Sequence, residues 1–145
     1  MTSEPDAWAA RAGEPTVADA GELAAIAAFA PLLPASAVRV LGPGDDAAVL
    51  AAPDGRVVVT TDTMVHGPDF RTAWTTPADL GLKLAASNLA DVAAMGAVPT
   101  ALVVSLVVPP TTPIRVLAEV AEGLRDACAA LAPGCGVEGG DLATG

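Results

Sequence analysis

Residues 76–99, TPADLGLKLAASNLADVAAMGAVP, constrain the fold more than any other stretch of the chain. Thr76 is suited to cap a helix, Pro77 to its first position, Asp79 to its first turn and Gly96 to its end, so the pattern predicts a helix over residues 77–95. Leu80, Leu84, Leu89, Val92 and Met95 recur at helical spacing and mark a core face. Lys83, Ser87 and Asp91 step by four along a second stripe, with Asn88 beside them. Such a stripe is ordinarily a solvated surface. Other aspartates at strand ends and in glycine turns argue for a second use.

Taken in order, residues 1–16 read as a flexible N-terminal segment and residues 17–145 as one domain. A helix is expected over 17–33, with Leu23, Ile26, Phe29 and Leu33 on its buried side and Pro34 as its stop. Residues 38–41 form a short strand entering the turn Gly42-Pro43-Gly44-Asp45-Asp46. Residues 47–51 and 56–63 read as strands joined by Ala52-Pro53-Asp54-Gly55, a hairpin that implies an antiparallel component. The 64–75 loop is long enough to raise the expectation that it touches ligand. Residues 100–108 are nearly all apolar or β-branched, as in a strand covered on both faces. A helix over 113–131 and a short strand at Val137-Glu138, running into the turn Gly139-Gly140-Asp141, complete an α+β pattern with a mixed sheet. The stop in a glycine turn at Gly145 reads as the end of a fragment.

Charge narrows the function. Seven Lys and Arg against a net charge of -10 disfavour binding to nucleic acid or an anionic membrane through a basic surface. Divalent cations held by acidic residues can nevertheless reverse the local sign and admit a polyanion. No run approaches the roughly 18 to 20 apolar residues of a membrane span, and the acidic, proline-bearing N-terminus is unlike a secretory signal. Cys128 and Cys135, with no histidine nearby, match no zinc pattern and read as buried thiols of a reducing cytoplasm. His66 is the single histidine, which excludes a His-rich metal site. The phosphate loop ending in Gly-Lys-Ser/Thr is absent, and Gly42-Pro43-Gly44 does not continue into a dinucleotide fingerprint.

The chemistry concentrates in Asp45-Asp46, Thr60-Thr61-Asp62, Asp91 and Asp141. Mg²⁺ is usually held by a few carboxylates together with water and substrate phosphate, which dispersed aspartates can supply. Along residues 56–63, Thr60 and Asp62 share a face and can reach one ion together. Plainer readings stand beside this: Asp45 as an Asx-turn residue, Asp62 as a cap for the following loop, and Asp141 as a turn residue.

The ordered segments GPGDDAAVL, VVTTDTMVHGPDF, DLGLKLAASNLADVAAMGAVP and VEGGDLATG resemble the N-terminal, ATP-binding half of the thiamine-monophosphate kinase family, within the aminoimidazole-ribonucleotide-synthetase-like superfamily. The resemblance covers residues 20–145 and implies transfer of the ATP γ-phosphoryl group to thiamine monophosphate, with several Mg²⁺ ions. It implies Asp46, Thr60, Thr61, Asp62, Asp91 and Asp141 as metal ligands, and Gly140 and Asp141 as ATP contacts. It further implies a sheet with helices packed on one face that pairs into a barrel across a homodimer axis, and a C-terminal domain absent from this chain. Where the family has V-E-G-x-H-F, this chain reads Val65-His66-Gly67-Pro68-Asp69-Phe70, so either Asp69 takes the substrate contact or His66 reaches in.

Relatives within the superfamily share the aspartates. A selenophosphate synthetase is expected to carry a reactive N-terminal Cys and a Gly-rich, Lys-containing segment, which residues 1–40 lack. A hydrogenase-maturation protein or the purine enzyme itself fits NLADVAAMGA and TTDTMV less well. A reading from another class is a non-catalytic domain that binds nucleotide or divalent metal.

Overall fold

Helix formation near the N-terminus is broken by one glycine. The structure, a computed structural model, describes residues 7–44 and 47–145. Thr16 and Asp19 form a reciprocal cap on α1 (Val17–Ala20), but Gly21 at φ 78° turns the chain before α2 (Glu22–Phe29) and a 3-10 turn (Ala30–Leu32). The one helix expected over 17–33 is thus split, because a residue at positive φ cannot continue a right-handed helix. Leu23, expected on the buried side, is exposed.

β1 (Arg39–Leu41) pairs antiparallel with β2 (Val49–Leu50). The hairpin expected between residues 47–51 and 56–63 does not form. Its turn does, with Gly55 N–H donating to Ala52 O at 2.9 Å, but residues 56–62 enter no strand. Turn chemistry is local, whereas pairing is decided by what lies alongside: β1 recruits β2, and the end of the second segment becomes β3 (Thr63–Val65) in another sheet.

That sheet contains β3, β4 (Ala101–Val108) and β5 (Gly136–Thr144), in the order β3-β4-β5 and parallel throughout. The crossovers are α3 (Pro77–Ala94) and α4 (Ile114–Leu131). α3 is built as its sequence predicts, with a Thr76–Asp79 capping box, Pro77 in the first turn and Gly96 at φ 67° just beyond the end. The architecture is therefore α+β, with antiparallel and parallel pairing, as expected. Among the described residues no helix is long and apolar enough to cross a membrane.

Met64, Leu106 and Leu142 lie side by side across the sheet, buried beneath Leu80 and Leu84 of α3 and Leu117 and Leu124 of α4. Among the described residues no helix covers the opposite face: Val103 is 69% exposed, so within this chain β4 is buried on one side and not on both. Met95, counted from spacing as core, is also 69% exposed, because the helix has already ended there. The helices cross at two glycines. A Cβ on Gly81 would run into Val120 O and stand 2.6 Å from Leu124 N, and one on Gly123 would run into Ala78 O.

β5 is longer than expected, and Gly139-Gly140-Asp141 lies inside it rather than in a turn. Pairing passes from Leu102 opposite Val137 to Val104 opposite Gly140, which inserts one extra residue in β5 as a bulge. Glycine suits this because a Cβ on Gly140 would overlap Val104 O. Beside the bulge the Glu138 carboxylate is buried, accepting from Ser36 N–H at 2.5 Å and Arg39 Nε at 2.6 Å. This links the two sheets. Glu138→Gln should lower stability by about 1.5 kcal/mol, since one charge-assisted hydrogen bond is lost while the partly exposed Arg39 stays hydrated. The midpoint of urea unfolding measures it.

Candidate functional site

The polar end of α3 meets the segment that leads into β3. Thr60 Oγ1 donates to Asp91 Oδ2 at 3.2 Å, joining two residues 31 apart in sequence that were expected to share a metal. Thr61 and Asp62 are exposed and make no side-chain hydrogen bond among the described residues. Asp141 stands on β5, where the register places Thr63, Ser105 and Asp141 in one row on the uncovered face, with Thr63 Oγ1 and Ser105 Oγ 3.4 Å apart. Sequence reasoning did not group Thr63 and Ser105 with Asp141, a row that appears only once the parallel register is known.

Among the described residues no basic side chain pairs with Asp62, Asp91 or Asp141. Nor do three acidic, histidine or cysteine side chains gather around one point there. Asp45 and Asp46 lie outside the described residues. The groups present are carboxylates and hydroxyls, hard oxygen donors that fit Mg²⁺ and not a soft metal.

The other members of the α3 stripe have separate uses. Lys83 Nζ donates to the backbone oxygen of Asp69, tying α3 to the loop expected over 64–75, whose first two residues, Met64 and Val65, belong to β3. Asn88 is buried and bonds back to Leu84 O at 2.9 Å, so it belongs to the helix interior. In the loop, Asp69 Oδ2 accepts Val65 N–H at 2.8 Å and Asp69 N–H donates to Val65 O at 3.1 Å, closing a turn. His66 packs edge-on against Phe70, ring centroids 5.4 Å apart. Asp69 Oδ1 carries no hydrogen bond among the described residues.

A cavity of about 770 Å³ joins segments distant in sequence. Pro43, Gly44, Ala47 and Ala48 line one side, and Gly139, Gly140 and Asp141 another. Ile26, Phe29 and Leu124 supply apolar wall. Such a cleft offers apolar surface to a ring and glycine backbone to a polar end. The two cysteines stand away from it, buried together at the α4–β5 turn. The hydrogen bond from Cys135 lowers the Cys128 thiol pKa and raises that of Cys135.

A family model described as AIR synthase related protein, N-terminal domain, matches residues 44–145. The chain is 42% identical over 128 residues to a thiamine-monophosphate kinase of Mycobacterium tuberculosis strain H37Rv, covering 88% of this chain and 38% of that protein. It is 41% identical over 113 residues to one from Corynebacterium glutamicum, covering 77% and 33%, and 42% identical over 100 residues to one from Synechococcus elongatus, covering 68% and 30%. It therefore spans well under half the length of these relatives.

Proposed function

Because the chain belongs to the AIR synthase related protein family through its N-terminal domain, we propose that it is the ATP- and magnesium-binding part of a thiamine-monophosphate kinase. The reaction is transfer of the ATP γ-phosphoryl group to the phosphate of thiamine monophosphate, giving thiamine diphosphate and ADP. The observation that carries this reading is the Thr60–Asp91 contact, which draws together two oxygen donors from separate elements with no cation beside them among the described residues. The names of the relatives supply the substrates.

Asp91, Thr60, Thr61 and Asp62 at one end of the sheet, Asp141 on β5, and Asp46 are the proposed magnesium ligands. Magnesium, when bound, offsets negative charge on the phosphates and lets two anionic reactants approach. Gly140 and Asp141 border the cavity and are assigned to ATP, with the apolar wall receiving the nucleoside. Catalysis of this kind rests on alignment. No general base is assigned, since the attacking phosphate oxygen is already anionic. Asp69, through Oδ1, and His66 are the loop residues proposed to meet the acceptor. The uncovered sheet face, with Val65, Val107 and Ala143 half-buried around Val103, supports pairing of two copies into a barrel across a homodimer axis. A cytoplasmic location suits an ATP-consuming reaction and unbridged thiols.

The test is to incubate the chain, and a version extended to the length of its relatives, with ATP, Mg²⁺ and thiamine monophosphate, and to measure thiamine diphosphate. Product from the extended form is the expected result. Product from that form alone makes the 145-residue chain a nucleotide-binding domain. Product from neither overturns the assignment.

A further inference from the structure

The segment before α1 is tied down at both ends. Trp8 is 4% exposed, stacks on Phe70 with centroids 5.5 Å apart and planes 23° apart, and donates from Nε1 to Thr75 O at 2.9 Å. Farther along, Glu14 pairs with Arg115 at 2.7 Å, Ile114 N–H donates to Pro15 O at 3.0 Å, and Val17 N–H donates to Thr112 O at 2.9 Å. Residues 8–17 thus run as a strap from the 64–75 loop to the start of α4. Phe70, the residue Trp8 covers, is the neighbour of Asp69 and the ring against which His66 packs.

The first loop residue, His66, is held to β4 by its N–H on Val107 O at 3.1 Å, and Phe70 and Thr72 are buried. Asp69 closes a turn within the loop, and Lys83 holds a single backbone oxygen from α3. The Trp8 ring lies against Phe70, and its N–H holds the carbonyl just before the Thr76 cap of α3.

We propose that Trp8 is a positioning residue: the strap holds the 64–75 loop in the conformation that presents Asp69 and His66 to the acceptor substrate. The kinetic part of this rests on the kinase reading above. The structural part does not.

Arg71, exposed and within the loop, provides a protease site that needs no activity. In the 145-residue chain, Trp8→Ala should speed tryptic cleavage after Arg71 by about tenfold, since stacking and a hydrogen bond are both lost. Cleavage after Lys83, inside α3, should not change. Trp8→Phe keeps a ring on Phe70 and gives up the donor to Thr75, so it should rescue much of the protection. In the version extended to the length of its relatives, Trp8→Ala should raise KM for thiamine monophosphate about fivefold while leaving KM for ATP unchanged, the signature of lost ground-state positioning.

Equal acceleration at Arg71 and Lys83, or none at either, overturns the proposal by making Trp8 an ordinary core residue or an irrelevant one. Local acceleration with an unchanged acceptor KM overturns the positioning role. If the unsubstituted protein forms no thiamine diphosphate, the kinase reading falls, and the cleavage ratio still decides whether the strap holds the loop.

Discussion

Gly123→Ala should cost the domain about 2 kcal/mol or more, although alanine is the better helix former by about 1 kcal/mol. Intrinsic preference loses because the added methyl has no room. The nearest atoms are backbone of Ala78 in α3, with Ala78 C and Cα at 2.9 Å, and backbone cannot swing aside as a side-chain tip can. The helices must separate, which loosens Leu80 and Leu84 against Val120 and Leu124, all buried. Gly81→Ala should act alike, since its Cβ would run into Val120 O. Against a total stability of roughly 5–15 kcal/mol this is a large fraction. Urea unfolding followed by circular dichroism measures it. A neutral or stabilising result at both positions would mean the helices do not cross this closely.

Asp91→Asn should weaken Mg²⁺-dependent ATP binding by about 100-fold, the upper end of what losing a supporting residue of a metal site costs. The exchange removes a charge and almost no volume. Its partner, the Thr60 hydroxyl at 3.2 Å, can still donate to the amide oxygen, so the thermal midpoint should stay within a degree or two of the parent, as for a surface substitution. Asp126→Asn, an exposed carboxylate on α4 beside Arg125, serves as the charge-matched control and should leave binding unchanged. Titration of ATP by calorimetry with and without Mg²⁺ reads both. Undiminished Mg²⁺ dependence in the Asp91 variant would remove Asp91 from the metal site.

What could be read from sequence follows the range of the interactions that decide each element. α3 was legible almost to its ends because Thr76, Pro77, Asp79 and Gly96 act within a turn of where they sit. α4, expected over 113–131, runs over Ile114–Leu131, with Val116, Leu117, Val120 and Leu124 among its buried residues. The second hairpin failed because Val57, Val58 and Val59 have strand character but pair with no strand among the described residues, and all three remain exposed. Gly139-Gly140 misled for a related reason: paired glycines commonly mark a turn, yet here they allow a bulge against Val104. Trp8 lies in a segment read as flexible, since nothing nearby in sequence announces Phe70 as its partner.

The site shows the same division. Its residue types were visible as isolated acids, whereas the Thr60–Asp91 contact joins positions 31 apart that no short window of sequence brings together. The alignment of Thr63 and Ser105 with Asp141 depends on parallel register, which no short window of sequence contains. Glu138, read as part of a short strand, does lie in β5, and its buried carboxylate also fastens β1 to β5 through Arg39.

The three parallel strands are roofed by helices on one side and, among the described residues, bare on the other, with Val103 foremost on the bare side. Sheets of this kind are ordinarily sheltered above and below. If a second copy provides the missing shelter, Asp141 and Ser105 sit at the seam, and the chemistry acquires a dependence on how much protein is present. Dilution would then silence it as surely as a substitution.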